Sequence, residues 1–98
     1  MAIVISPKIF AKLTEKHGVS KKDVQQCFEN RTGYLLTDPR EKNKSDPPTQ
    51  WFIAFTNDGR LLKICFVPRD ENQYLRSAYP PNEVELRIYQ VKGKPSDF

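Results

Sequence analysis

The sequence contains no long apolar run. Its opening trio Ile3-Val4-Ile5 is followed almost at once by Pro7, too short a run for a signal peptide or a membrane span. Cysteine is scarce: Cys27 and Cys65 lie far apart and form no CxxC pair. With one histidine, His17, no zinc-ligand constellation can be written, so no metal and no cofactor is expected. A secreted domain of this size is usually richer in cysteine, which favours two reduced thiols in the core of a cytoplasmic protein. No phosphate-cradling glycine loop is present either. Ser77 and the two cysteines lack the base and orienting group that nucleophilic catalysis needs.

At 98 residues the chain is long enough for one domain, 1–98, and 38% hydrophobic content suffices for a small core. The net charge of +4 is not carried by a tail: residues 1–50 hold nine Lys/Arg against six acids, and residues 51–98 hold seven against six. An anionic partner fits this balance, and charge alone leaves nucleic acid, an acidic protein and a membrane surface open.

Ser6-Pro7 opens a first helix, with Ile9, Phe10 and Leu13 as its apolar stripe and His17-Gly18 as its end. Ser20 and Asp23 form a capping box for a second helix that buries Val24, Cys27 and Phe28. Tyr34-Leu35-Leu36 reads as a brief edge strand. Residues 37–50 hold three prolines and no large apolar side chain, so an exposed loop is expected there.

Residues 51–56 and 61–67 flank Asn57-Asp58-Gly59-Arg60, where Asp58-Gly59 suits a type I′ turn. That turn would set Phe55 opposite Leu62, Ile53 opposite Ile64 and Trp51 opposite Phe66. Those residues would face the helices, leaving Phe52, Ala54, Lys63 and Cys65 on an open face. Residues 73–79 form a further strand, which Pro80-Pro81 ends. Asn82 caps a closing helix on which Val84, Ile88 and Val91 keep helical spacing, and residues 93–98 read as a frayed tail. The expected fold is therefore α+β: two N-terminal helices packed on one face of a three- to four-stranded antiparallel sheet, with a C-terminal helix.

On the open face Lys63 and Arg76 would stand between Phe52 and Tyr74, with Arg60 and Arg69 at neighbouring turns. Cations interleaved with rings suit single-stranded nucleic acid, because the cations neutralise phosphates and the rings accept stacked bases. The same cations could equally be solvated ends whose stems cover apolar surface. RNA cleavage through its own 2′-hydroxyl needs a proton acceptor, a cation for the phosphorane charge and a proton donor. Arg69 and Arg76 could hold charge while Tyr79 or His17 moves protons. The competing readings are His17 as a helix-closing cation and Tyr79 as an aromatic packed on the proline pair.

Lys16-His17-Gly18-Val19, a second helix ending in Cys27-Phe28, Asp58-Gly59-Arg60, Pro68-Arg69-Asp70 and the strand containing Ser77 come in an order that resembles BrnT-type toxins, small members of the RelE ribonuclease superfamily. The resemblance covers most of residues 6–90. It implies a toxin of a type II toxin–antitoxin pair, cleaving mRNA without a metal and forming a hetero-oligomer with its antitoxin. It also implies a catalytic role for Arg69. At the position of the family's second arginine this chain carries Tyr79, which shifts the acid role to a phenol. The Asp-Pro-Pro-Thr run at 46–49 and Ala78-Tyr79-Pro80 resemble more closely a small bacterial family often labelled ADP-ribosyl-dinitrogen-reductase hydrolase. Hydrolases of that name carry metal-binding carboxylate clusters, and none is evident among the 12 acidic residues here. The alternative function is a non-catalytic RNA- or protein-binding module using the same open sheet face.

Overall fold

Each of the three α-helices begins where a side chain satisfies its first amides. Ser6 Oγ accepts the Ile9 amide at 3.3 Å with Pro7 in the first turn. Ser20 and Asp23 cap each other's amides at 3.1 and 3.0 Å, and Asn82 and Glu85 do the same at 2.8 and 3.0 Å. A computed structural model describes residues 2–38 and 48–98. Its elements are β1 (Ile3–Val4), α1 (Pro7–Lys12) running into a π-helical turn (Leu13–His17), α2 (Lys21–Asn30), β2 (Leu36–Thr37), β3 (Gln50–Phe55), β4 (Leu61–Arg69), β5 (Asn72–Tyr79) and α3 (Glu83–Lys92). Gly18, left-handed at φ 58°, ends the π-helical turn as anticipated.

The strands form one five-stranded sheet in the order β1-β5-β4-β3-β2. The fold is α+β, but the sheet is larger than expected and not wholly antiparallel. Ile3-Val4, read from the sequence only as a short apolar run, pairs parallel to β5 through Ile3–Gln73 and Val4–Tyr74. Of the loop expected over 37–50, residues 39–47 lie outside the described residues. Thr37 and Gln50 belong to strands, and Thr49 is buried, its carbonyl accepting the Asp38 amide at 3.0 Å.

The β3–β4 register differs from the expected one by one residue. The pairs are Phe55–Leu61, Ala54–Leu62, Ile53–Lys63, Phe52–Ile64 and Trp51–Cys65. The Thr56 amide donates to the Arg60 carbonyl at 2.8 Å, the Gly59 amide to the Thr56 carbonyl at 3.0 Å, and only Gly59 among the loop residues has positive φ, at 87°. This is a three-residue loop with a glycine bulge, not a two-residue type I′ turn. Thr56 selects it: its buried hydroxyl accepts the Arg60 amide at 3.1 Å and donates to Asp58. From α2, Asn30 donates to the Phe55 carbonyl and to Asn57 at 2.9 Å each, and Gln26 accepts the Asn57 amide at 2.9 Å.

Because side chains alternate, a one-residue shift turns β3 over relative to β4, whose own faces are as expected. Phe52, Ala54, Leu62, Ile64 and Phe66 therefore meet α1 and α2. Phe28 stands edge-on to Phe52 and Phe66 at 5.0 and 5.2 Å, and Cys27 Sγ points to the Ala54 carbonyl at 3.5 Å. Trp51, Ile53, Lys63 and Cys65 face the other way, where α3 covers them through Tyr89, 5.6 Å from Trp51. The face expected to be open is closed. Both cysteines are free and buried.

The C-terminal tail is docked and not frayed. Phe98 packs on Phe55 and Tyr89 at 5.4 and 6.2 Å, while Thr32 holds Asp97 and the Ser96 amide at 2.7 and 3.0 Å. Gly33 and Gly93 let the Tyr89 ring lie where a Cβ at either position would collide with it. The Tyr89 hydroxyl donates to the Tyr34 carbonyl at 2.9 Å.

A type I′ turn does occur, between β4 and β5, where Asp70 and Glu71 have φ of 52° and 66°. Left-handed backbone at non-glycine residues costs about 1 kcal/mol or more each. Glu71→Gly should therefore raise stability by about 0.5–1 kcal/mol in denaturant titration, with an unchanged m-value.

Candidate functional site

Lys63 is the one charged residue within the apolar β3–β4 pairing, and it is only 4% exposed. A buried ammonium needs a counter-charge and acceptors. Glu85, in the first turn of α3, provides them, with its Oε2 2.8 Å from Lys63 Nζ. The same oxygen accepts the Tyr79 hydroxyl at 2.8 Å, while Oε1 accepts the Asn82 amide at 3.0 Å. One carboxylate thus joins the α3 cap, the first part of β4 and the end of β5. Lys63 Nζ also lies 4.6 Å from the Trp51 ring centroid and 5.7 Å from that of Tyr79, so rings shield the ammonium.

Burial pulls the Lys63 ammonium toward lower pKa, but its hydrogen bond to Glu85 and neighbouring charge outweigh it and hold it above its ordinary range. Burial pushes the Glu85 carboxyl up, yet Lys63, the Asn82 amide and Tyr79 together bring it below its ordinary value. Burial, then the Glu85 bond, raises the Tyr79 phenol, with Lys63 partly offsetting them. At neutral pH the cluster is an ammonium, a carboxylate and a protonated phenol. On the β3 side of the cluster a groove of about 510 Å³ opens between Leu36, Asp38, Trp51, Asn82 and Ile88.

His17, at the end of the π-helical turn, brings its ring 5.8 Å from that of Tyr79 at 38°. Arg60 fixes this end of the helix, its guanidinium donating to the carbonyls of Gly18, at 3.1 Å, and His17. Of the residues singled out in the sequence, His17, Lys63 and Tyr79 come together and Arg60 supports them from behind. Phe52 is fully buried under α2 and offers no face to a base. Tyr74 is exposed beside β1. Arg69 ends β4 at the Asp70-Glu71 turn, six residues along the strand from Lys63 and so about 20 Å away. Arg76 is exposed where the ladder shifts register between Cys65 and Phe66, about 10 Å along β5 from Tyr79.

Glu85 and Trp51 were not singled out from the sequence as site residues. The available signal was Lys63 itself: a lysine within a buried strand requires a carboxylate, and the Asn82-x-x-Glu85 pattern marked one with a defined position. Among the described residues no group of three or more His, Cys, Asp or Glu could hold a metal ion, and no helix is long and apolar enough to cross a membrane.

No family model matches the chain, and no curated protein matches it. Any function therefore has to be argued from the cluster itself.

Two outcomes test the energetics. Lys63→Met should cost about 2–3 kcal/mol, because it leaves a half-enclosed carboxylate, whereas Lys63→Met with Glu85→Gln should recover all but about 1 kcal/mol. Chemical denaturation of the two single variants and the pair checks this. For pH, the lowered Glu85 value means that the unfolded chain binds its proton first. The contribution is then whole above about pH 4.5 and lost as pH falls through the folded value. Lys63 and Tyr79, both raised, lose theirs as pH climbs past 10.5 and 10.0 respectively. Thermal unfolding should show Tm declining on both sides, with a shallower acid limb in Glu85→Gln.

Proposed function

We propose that the chain is a metal-independent endoribonuclease of the toxin type, cleaving mRNA in the cytoplasm and restrained by a protein antitoxin in a hetero-oligomer. The observation that carries this reading is the meeting of His17 and Tyr79, from distant parts of the chain, at 5.8 Å beside an ion pair. Four groups able to hold or move a proton stand in one place, and two of them, His17 and Tyr79, are half-buried at the sheet end.

The chemistry needs no other reagent. His17 takes the proton from a ribose 2′-hydroxyl, whose oxygen attacks phosphorus. The bond from phosphorus to the 5′ oxygen breaks, and Tyr79 gives its proton to that oxygen. The products are a 2′,3′-cyclic phosphate and a 5′-hydroxyl. Lys63, 5.7 Å from the Tyr79 ring, steadies the transient phenolate, which regains a proton by way of His17 and solvent. Glu85 orients the phenol. In this scheme Arg69 and Arg76 act on the length of the RNA and not on the scissile phosphate.

A second reading, a catalytically idle binding module, has one observation in its favour. The cations nearest the cluster, Lys63 and Arg60, are already engaged with Glu85 and with helix-end carbonyls.

Purified wild-type chain should cut single-stranded RNA in the presence of EDTA, and its induction in a bacterial host should arrest growth. Tyr79→Phe and His17→Ala should each lower the cleavage rate at least about 100-fold, with Tm shifted by only a few degrees. Arg69→Ala should reduce the rate by less than about tenfold. If wild type neither cuts RNA nor slows growth, the binding-module reading replaces this one.

A further inference from the structure

The helix α3 buries one side and leaves a second apolar side uncovered. Tyr89, Leu86 and the Glu85 carboxylate face the sheet, while Val84, Ile88 and Val91 are 67%, 40% and 67% exposed. They recur at i, i+4 and i+7, so they form one stripe along the outer surface of the helix. An isolated exposed valine needs no explanation, but a three-residue stripe on one helix marks a docking surface. Along it runs a shallow groove of about 400 Å³, bordered by Glu83, Arg87 and Lys92.

The charges beside the stripe indicate what covers it. Glu83 and Arg87, both exposed, lie four residues apart on the same flank of the stripe. Neither is engaged in an ion pair among the described residues. When two identical helices pack antiparallel about a two-fold axis, each flank faces the same flank of the other helix. With the axis near Leu86, Val84 of one chain lies over Ile88 of the other, and Val91 reaches Pro81. Glu83 then lies about 3 Å along the axis from Arg87 of the other chain, within reach of its long side chain, and every contact occurs twice. The sign pattern fits a second copy of this chain.

We propose that α3 is a self-association surface, and that the chain forms a symmetric dimer through antiparallel α3 helices. A contact made by one three-turn helix is smaller than a standard interface, so the dissociation constant should be roughly micromolar. Val84 and Ile88 also border the groove beside Lys63 and Glu85, but none of the stripe residues takes part in the proton transfers, so sedimentation tests the association separately from RNA cleavage.

Sedimentation of the full chain over about 1–300 µM tests it. The mass should rise with concentration from 11.4 kDa to twice that value. Ile88→Asp should weaken the dimer at least tenfold while leaving Tm unchanged within a few degrees, because the side chain is outward-facing. Glu83→Arg alone and Arg87→Glu alone should each weaken it, and the two together should restore it, a rescue that only self-pairing of this flank produces. A chain that stays monomeric throughout, or a dimer indifferent to Ile88→Asp and to the charge exchange, would overturn the proposal. A monomer whose stripe instead captures a different protein would overturn it as well.

Discussion

The carboxylate of Glu85 holds three donors at once, and the rest of the molecule depends on where it stands. Its bond to the Asn82 amide starts α3. Its bond to Lys63 fixes that start above the first part of β4, and its bond to Tyr79 fixes it to the end of β5. A buried ion pair is a weak source of net stability, because desolvation takes back most of what the charges gain. What it contributes here is position. An apolar helix face could slide along Trp51, Ile53 and Cys65 with little penalty, whereas an ammonium and a carboxylate 2.8 Å apart allow one seating. With the first turn seated, Tyr89 falls between Trp51 and Phe98, and the tail follows it onto Phe55.

The local signals were legible in the sequence. Ser6, Ser20, Asn82 and Gly18 mark helix ends through hydrogen bonds that reach only three or four residues, and the structure places each of them there. The register of the hairpin was not legible from Asp58-Gly59 alone. That dipeptide fits a type I′ turn, but the Thr56 hydroxyl and the α2 residues Gln26 and Asn30 stabilise a longer loop. The type I′ geometry sits instead at Asp70-Glu71, which lacks the glycine by which such turns are recognised. One residue of register exchanged the faces of β3 against an unchanged β4, and the Lys63 face, supposed open, is the seat of α3. The stripe Val84, Ile88, Val91 misleads in the same way, since helical spacing shows that a face is apolar and not which partner covers it.

The exchange and the covering of the Lys63 face by α3 redistribute the candidate site. Phe52 was chosen as a base platform from a face that the bulged hairpin turns into the core, while Tyr74 stays exposed but beside β1 and away from Lys63. Lys63 was chosen for its charge, and it keeps that charge, but spends it inside the protein on Glu85. His17 and Tyr79 entered as proton carriers on residue type alone, and the fold brings them to one point. Arg60 turns from a phosphate contact into the clamp that closes the His17 end of its helix. The arginines of β4 and β5 stand apart because a strand advances about 3.3 Å per residue, and three to six residues exceed the span of one phosphate.

Residue-resolved hydrogen exchange of α3 amides, comparing wild type with Lys63→Met, tests most directly whether the buried pair seats this helix. If it does, amides from Leu86 to Lys92 lose protection by about ten- to a hundredfold in the variant, while those of β3 and β4 keep theirs apart from the global shift. Equal loss across α3 and the sheet, or undiminished protection of α3, would contradict the account.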